Sequence, residues 1–151
     1  MKKLRVVIDT NVFISAILFK GYPAKLVDLW KKNFLKILIS KEVLEEYIKV
    51  LSYPKFQLSK EEINYIVEKE LLPFVEVIKV KSKISIIKED KEDNKFLILA
   101  LEGNASCIIS GDKHLLKLKK FHNTPIVTIK EFLEKVKYKM KRAYPSWGGD
   151  R

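Results

Sequence analysis

Three aspartates carry the chemistry this sequence can offer. Asp9 ends the run Leu4-Arg5-Val6-Val7-Ile8, and Asp112 follows Ile108-Ile109-Ser110-Gly111. Asp93 lies in the charged segment 88–94, just ahead of the apolar positions Phe96, Leu97, Leu99, Ala100 and Leu101. Carboxylates brought together repel one another and raise each other's pKa unless a divalent cation lies between them, and hard oxygen donors suit Mg2+ or Mn2+. Zinc is disfavoured, because Cys107 is the only cysteine and His114 and His122 lack a third partner at ligand spacing. Each acid also has a plainer use. Asp9 suits a turn or the cap of a helix starting near Val12, as do Thr10 and Asn11. Asp93 suits the first turn of a helix capped by Asp90, and Asp112 suits the cap of the helix after it. The elements decide whether the three meet.

Val6, Val7 and Ile8 are consecutive β-branched residues, as in a strand covered on both faces. Further strands are expected at 35–39, 74–80, 105–110 and 125–128, with a short extended piece at 84–87. Between them the apolar spacing turns helical. Leu26, Val27 and Trp30 follow Pro23; Val43, Leu44, Tyr47, Ile48 and Leu51 follow a Ser40 cap; Ile63, Ile66, Val67 and Leu71 follow a capping box at Ser59–Glu62. Leu115, Leu116 and Leu118 mark a helix after Asp112, and Phe132, Leu133 and Val136 a closing one. Strands alternating with helices imply right-handed crossovers and a three-layer α/β/α fold around a mainly parallel sheet. In such a sheet Asp9, Asp93 and Asp112 all fall at the carboxyl edge, where open α/β sheets place their sites.

With 151 residues and 47% hydrophobic content, one domain is expected at 1–136, followed by a basic and aromatic tail at 137–151. No apolar stretch is long enough to span a bilayer, so a soluble, cytoplasmic protein with no membrane association is expected. The single cysteine excludes an internal disulfide, and Cys107 reads as a small buried hydrophobe. A net charge of +11 attracts polyanions, of which nucleic acid is the commonest. Many of the lysines are simply solvated. From the end of the domain into the tail, Lys135, Lys137, Lys139, Lys141 and Arg142 are interleaved with or followed by Tyr138, Tyr144 and Trp147. Such a tail can extend a nucleic-acid surface, or fray and pack against a second subunit.

Four stretches together resemble a PIN domain, with the nearest likeness among VapC-like toxins of prokaryotic toxin–antitoxin pairs. They are Val6-Val7-Ile8-Asp9-Thr10-Asn11-Val12-Phe13, Ser40-Lys41-Glu42-Val43-Leu44-Glu45-Glu46-Tyr47, Asp93-Asn94-Lys95-Phe96-Leu97-Ile98-Leu99-Ala100, and Ile108-Ile109-Ser110-Gly111-Asp112-Lys113-His114-Leu115-Leu116. The likeness spans residues 4 to about 136. It implies an acidic quartet of Asp9, Glu46, Asp93 and Asp112 holding Mg2+ or Mn2+, supported by Asn11 and Ser110. Glu46 is chosen over Glu45 by its spacing from Ser40 and its place before Tyr47; helical phase does not separate the two. The resemblance further implies metal-dependent hydrolysis of RNA, a homodimer, and a cognate antitoxin as protein partner. The chemistry also follows from the acids themselves, since carboxylate-held metal can activate water for in-line attack on a phosphodiester.

Two other functions fit parts of the pattern. A haloacid-dehalogenase-like phosphatase also carries an Asp after its first strand, but it needs a second Asp two residues later, where this chain has Asn11. A response-regulator receiver would need an acidic pair near the first strand, which is absent. A catalytically idle PIN-like module that only binds RNA or a partner is the third reading, and four retained acids argue against it.

Overall fold

The computed structural model describes residues 3–81 and 91–143, with 91–93, 140 and 143 described by their backbone alone. Among the described residues six strands form one sheet: β1 (Leu4–Ile8), β2 (Leu35–Ile39), β3 (Val75–Val77), β4 (Cys107–Ile109), β5 (Lys120–Phe121) and β6 (Thr124–Val127). Their spatial order is β3-β2-β1-β4-β6-β5. All pairings are parallel except β5 with β6. The helices are α1 (Thr10–Leu18), α2 (Ala24–Lys31), α3 (Lys41–Leu51), α4 (Lys60–Tyr65), α5 (Lys91–Glu102), α6 (Lys113–Leu118) and α7 (Ile129–Ala143). They cover both faces of the sheet, as the three-layer expectation requires.

Val6, Val7 and Ile8 are fully buried in the middle of the sheet, and Ile37, Leu38, Ile108 and Ile109 flank them on the neighbouring strands. The largest buried side chains come from the helices. The Phe13 ring stacks on Tyr47 at 4.2 Å between centroids and lies 6.4 Å from Trp30, which fastens α1 to α3 and α2. At the amino edge, Arg5 makes a bidentate pair with Glu76, Nε to Oε1 at 3.0 Å and Nη2 to Oε2 at 2.7 Å. Its Nη1 donates to the Gly103 carbonyl at 2.5 Å, so one guanidinium joins β1 to β3 and to the end of α5.

Because the strand order reverses at β1, the chain leaves the sheet centre in two directions, and the crevice lies between β1 and β4 at their carboxyl ends. The strand ends there are tied in line: the Asp9 amide donates to the Ile109 carbonyl at 3.0 Å and the Ser110 amide to that of Val127 at 2.9 Å.

Several boundaries differ from expectation. The strands expected at 74–80 and 105–110 pair only over Val75–Val77 and Cys107–Ile109. The hairpin of β5 with β6 went unforeseen, its turn held by His122 at a φ of 55° in place of glycine. The helix after Ser59 loosens into a π-type stretch at Ile66–Leu71 before Pro73. Helix α7 runs to Ala143, across the boundary expected at 136. The extended piece at 84–87, Asp90 and residues 144–151 lie outside the described residues.

Candidate active site

Asp9 is buried, only 5% exposed, and serves as cap and candidate ligand at once. Its Oδ1 accepts the Val12 amide at 2.9 Å, starting α1 one residue on. Its Oδ2 accepts the Ser110 hydroxyl and the Gly111 amide, the latter at 3.1 Å. Burial pushes the Asp9 carboxyl above its ordinary value; the hydrogen bonds from Ser110, Val12 and Gly111 oppose the shift, and the charge of Asp112 adds to it.

Ser110 is the hinge of this corner. It is fully buried, and while it donates to Asp9 its oxygen accepts the Asp112 amide at 2.9 Å. Asp112, half-buried, in turn caps α6 by accepting the His114 amide at 2.7 Å. A turn of β4 into α6 that is pinned to Asp9 thus places two carboxylates at neighbouring strand ends.

Helix α3 brings the third acid. Glu46 points inward, with its Oε2 accepting the Thr10 hydroxyl and its Oε1 lying 2.6 Å from the Lys95 ammonium. Glu45 faces outward beside Lys41, with 64% of its side chain exposed against 14% for Glu46. The next residue, Tyr47, is fully buried and donates its hydroxyl to the Ile8 carbonyl, so α3 is locked against the end of β1. Burial, with the charges of Asp9 and Glu46, holds that phenol well above its usual range and keeps it a donor. The sequence gives Thr10 only a capping use, Tyr47 only a place in the apolar stripe of its helix, and Lys95 no use of its own. Thr10 adjoins Asp9 and Lys95 lies two residues past Asp93, but their partner on α3 is distant in sequence.

Asp93 lies in the first turn of α5, and its side chain is outside the described residues. Asn11 is exposed in the first turn of α1. Among the described residues no three of His, Cys, Asp and Glu come close enough to hold a metal ion, so Asp9, Glu46 and Asp112 do not form such a group by themselves. Asp9 and Asp112 share one hydrogen-bonded corner, and Glu46 reaches the residue beside it. His114 and His122 are exposed. Among the described residues no helix is long and apolar enough to cross a membrane.

A family profile described as the PIN domain matches residues 5–114. The chain is 37% identical over 145 residues to the uncharacterized protein MJ1680 of Methanocaldococcus jannaschii, covering 87% of this chain and 91% of that one. Its fold is similar to VapBC2 from Rickettsia felis, solved bound to a DNA fragment from their promoter, with a TM-score of 0.54 at 18% identity over 82% of this chain and 97% of that one.

Proposed function

This chain belongs to the PIN domain family, and we propose that it is a divalent-metal-dependent ribonuclease using Asp9, Glu46, Asp93 and Asp112, with Ser110 and Asn11 in support. The observation that carries this reading is the Asp9–Ser110–Asp112 corner at the crevice between β1 and β4. There a buried carboxylate is held ready by three donors while a second acid stands beside it, a costly arrangement that a cation would relieve. The four acids would offer a cation carboxylate oxygens, which fit a hard ion such as Mg2+ or Mn2+.

When bound, the cation supplies a Lewis acid for the phosphodiester and brings the acidity of water toward neutral pH. The chain's own groups do the remaining work. Ser110 and the Gly111 and Val12 amides fix both oxygens of Asp9, and the Asp112 amide is fixed through the same hydroxyl. Thr10 and Lys95 orient Glu46 on the α3 side. The basic surround implied by the +11 charge would hold the phosphate backbone without reading sequence. Cleavage would leave 5′-phosphate and 3′-hydroxyl ends. From the VapC-like likeness of the four motif stretches, the reading extends to a cytoplasmic toxin that dimerises and is held inactive by a cognate antitoxin.

The test sets single-stranded RNA against a phosphatase substrate, p-nitrophenyl phosphate, each with Mn2+ and with EDTA. The ribonuclease reading expects RNA cut only with metal and no phosphate release. Phosphate release would establish the phosphatase, and silence on both substrates the idle RNA-binding module.

A further inference from the structure

Helix α7 begins two residues after Val127, whose carbonyl accepts the Ser110 amide, so its first turn lies at the same edge as Asp9. A helix following a strand of a parallel sheet returns along it. Lys135 and Lys139 accordingly exert their charge on Cys107, the first residue of β4 at the opposite edge. At 1.5 Å per residue the fifteen residues of α7 span about 22 Å.

The character of α7 changes along that length. Its first turns are of mixed charge, with Lys130 beside Glu131, which closes a capping box with Thr128, and Glu134. From Lys135 to Arg142 there are five cations and no acid. Phe132 and Val136 are buried against the sheet, while Lys135, Lys137, Lys139, Lys141 and Arg142 are all exposed. Among them stands Tyr138, a large ring with 65% of its surface exposed and the Arg142 guanidinium 5.9 Å from its centroid.

We infer that the outer face of α7 is a docking strip for single-stranded RNA, carrying a strand away from the carboxyl edge toward the far side of the sheet. The cations match a phosphate backbone, and an exposed ring flanked by a guanidinium offers a base a stacking surface. A duplex hides its base faces and has no use for Tyr138. An anionic membrane calls for an apolar face, and the apolar residues Phe132 and Val136 of α7 are turned into the core. The acid-free stretch from Lys135 to Arg142, eight residues or about 12 Å of helix, gives the strip a contact length of a few nucleotides. The inference rests on the ribonuclease reading only for where the strand is cut.

The experiment measures fluorescence anisotropy of a labelled oligouridylate of about twelve nucleotides in EDTA, over a range of salt, with the full chain. Three variants accompany wild type: the triple change Lys137→Gln, Lys141→Gln, Arg142→Gln, then Tyr138→Ala, then Tyr138→Phe. The triple variant should bind at least about tenfold more weakly, and its slope of log affinity against log salt should flatten by about 2, three contacts at roughly 0.7 each. Tyr138→Ala should weaken binding roughly five- to a hundredfold with the slope kept, and Tyr138→Phe should retain wild-type affinity. Variants that melt like wild type yet bind with its affinity and slope would overturn the strip. So would wild type that fails to bind the oligouridylate at low salt. Cleavage by wild type in Mn2+ is scored in parallel. Intact binding without cutting removes the ribonuclease reading and leaves the strip standing.

Discussion

The Lys95 ammonium lies 2.6 Å from Glu46 Oε1, both side chains at least three-quarters covered, and so ties α5 to α3 one helix away from Asp9. A partly buried carboxylate that keeps its charge needs such a partner. The same cation must compete with any divalent ion for Glu46. Lys95→Met is therefore expected to lower stability in EDTA by about 1–2 kcal/mol, a few degrees in Tm. It is also expected to tighten Mn2+ binding several-fold. Calorimetry on the metal-free protein and a Mn2+ titration measure the two effects, and unchanged Mn2+ affinity would separate Glu46 from the metal.

Asp9 makes stability depend on pH with a definite sign. Its folded pKa is raised by burial, so the folded chain takes up the proton more readily than the unfolded chain. Ionised Asp9 then costs stability above the folded pKa, and that cost fades as pH falls through it toward the ordinary carboxylate value. In metal-free solution, the stability of wild type relative to Asp9→Asn should shift in favour of wild type as pH is lowered from neutrality. Paired urea melts across that range check it, and a shift toward Asp9→Asn would contradict the assignment.

Gly103 tests the junction of α5 with the sheet. A Cβ there would meet Leu38 Cδ1 at 2.8 Å and the Leu99 carbonyl at 3.0 Å, while the Gly103 carbonyl is already engaged by Arg5. Gly103→Ala should cost about 1–3 kcal/mol as overpacking, measured by urea unfolding. A change within ±0.5 kcal/mol would mean that the end of α5 yields freely.

What the sequence disclosed follows the range of the interactions involved. The β1 run, the Ser40 cap and the Ser59 capping box are local patterns, and each stands where its residues placed it. The carboxyl-edge placement of Asp9 and Asp112 followed from strand–helix alternation alone. Helical phase could not distinguish Glu45 from Glu46, because the difference lies in Thr10 and Lys95, 36 and 49 residues from Glu46. The β5 hairpin escaped because two paired residues and a His122-Asn123 turn lack both alternation and glycine. Arg5 likewise gives no local sign of the fork it makes with Glu76 and Gly103.

Metal-dependent cutting at the Asp9 corner is tested by one comparison: RNA cleavage by wild type and Asp9→Asn in Mn2+, each checked for a cooperative melt. Wild type should cut single-stranded RNA with Mn2+ and stop in EDTA, while folded Asp9→Asn leaves the RNA whole. Undiminished cleavage by Asp9→Asn, or cleavage by wild type that persists in EDTA, would contradict metal-dependent cutting at this corner.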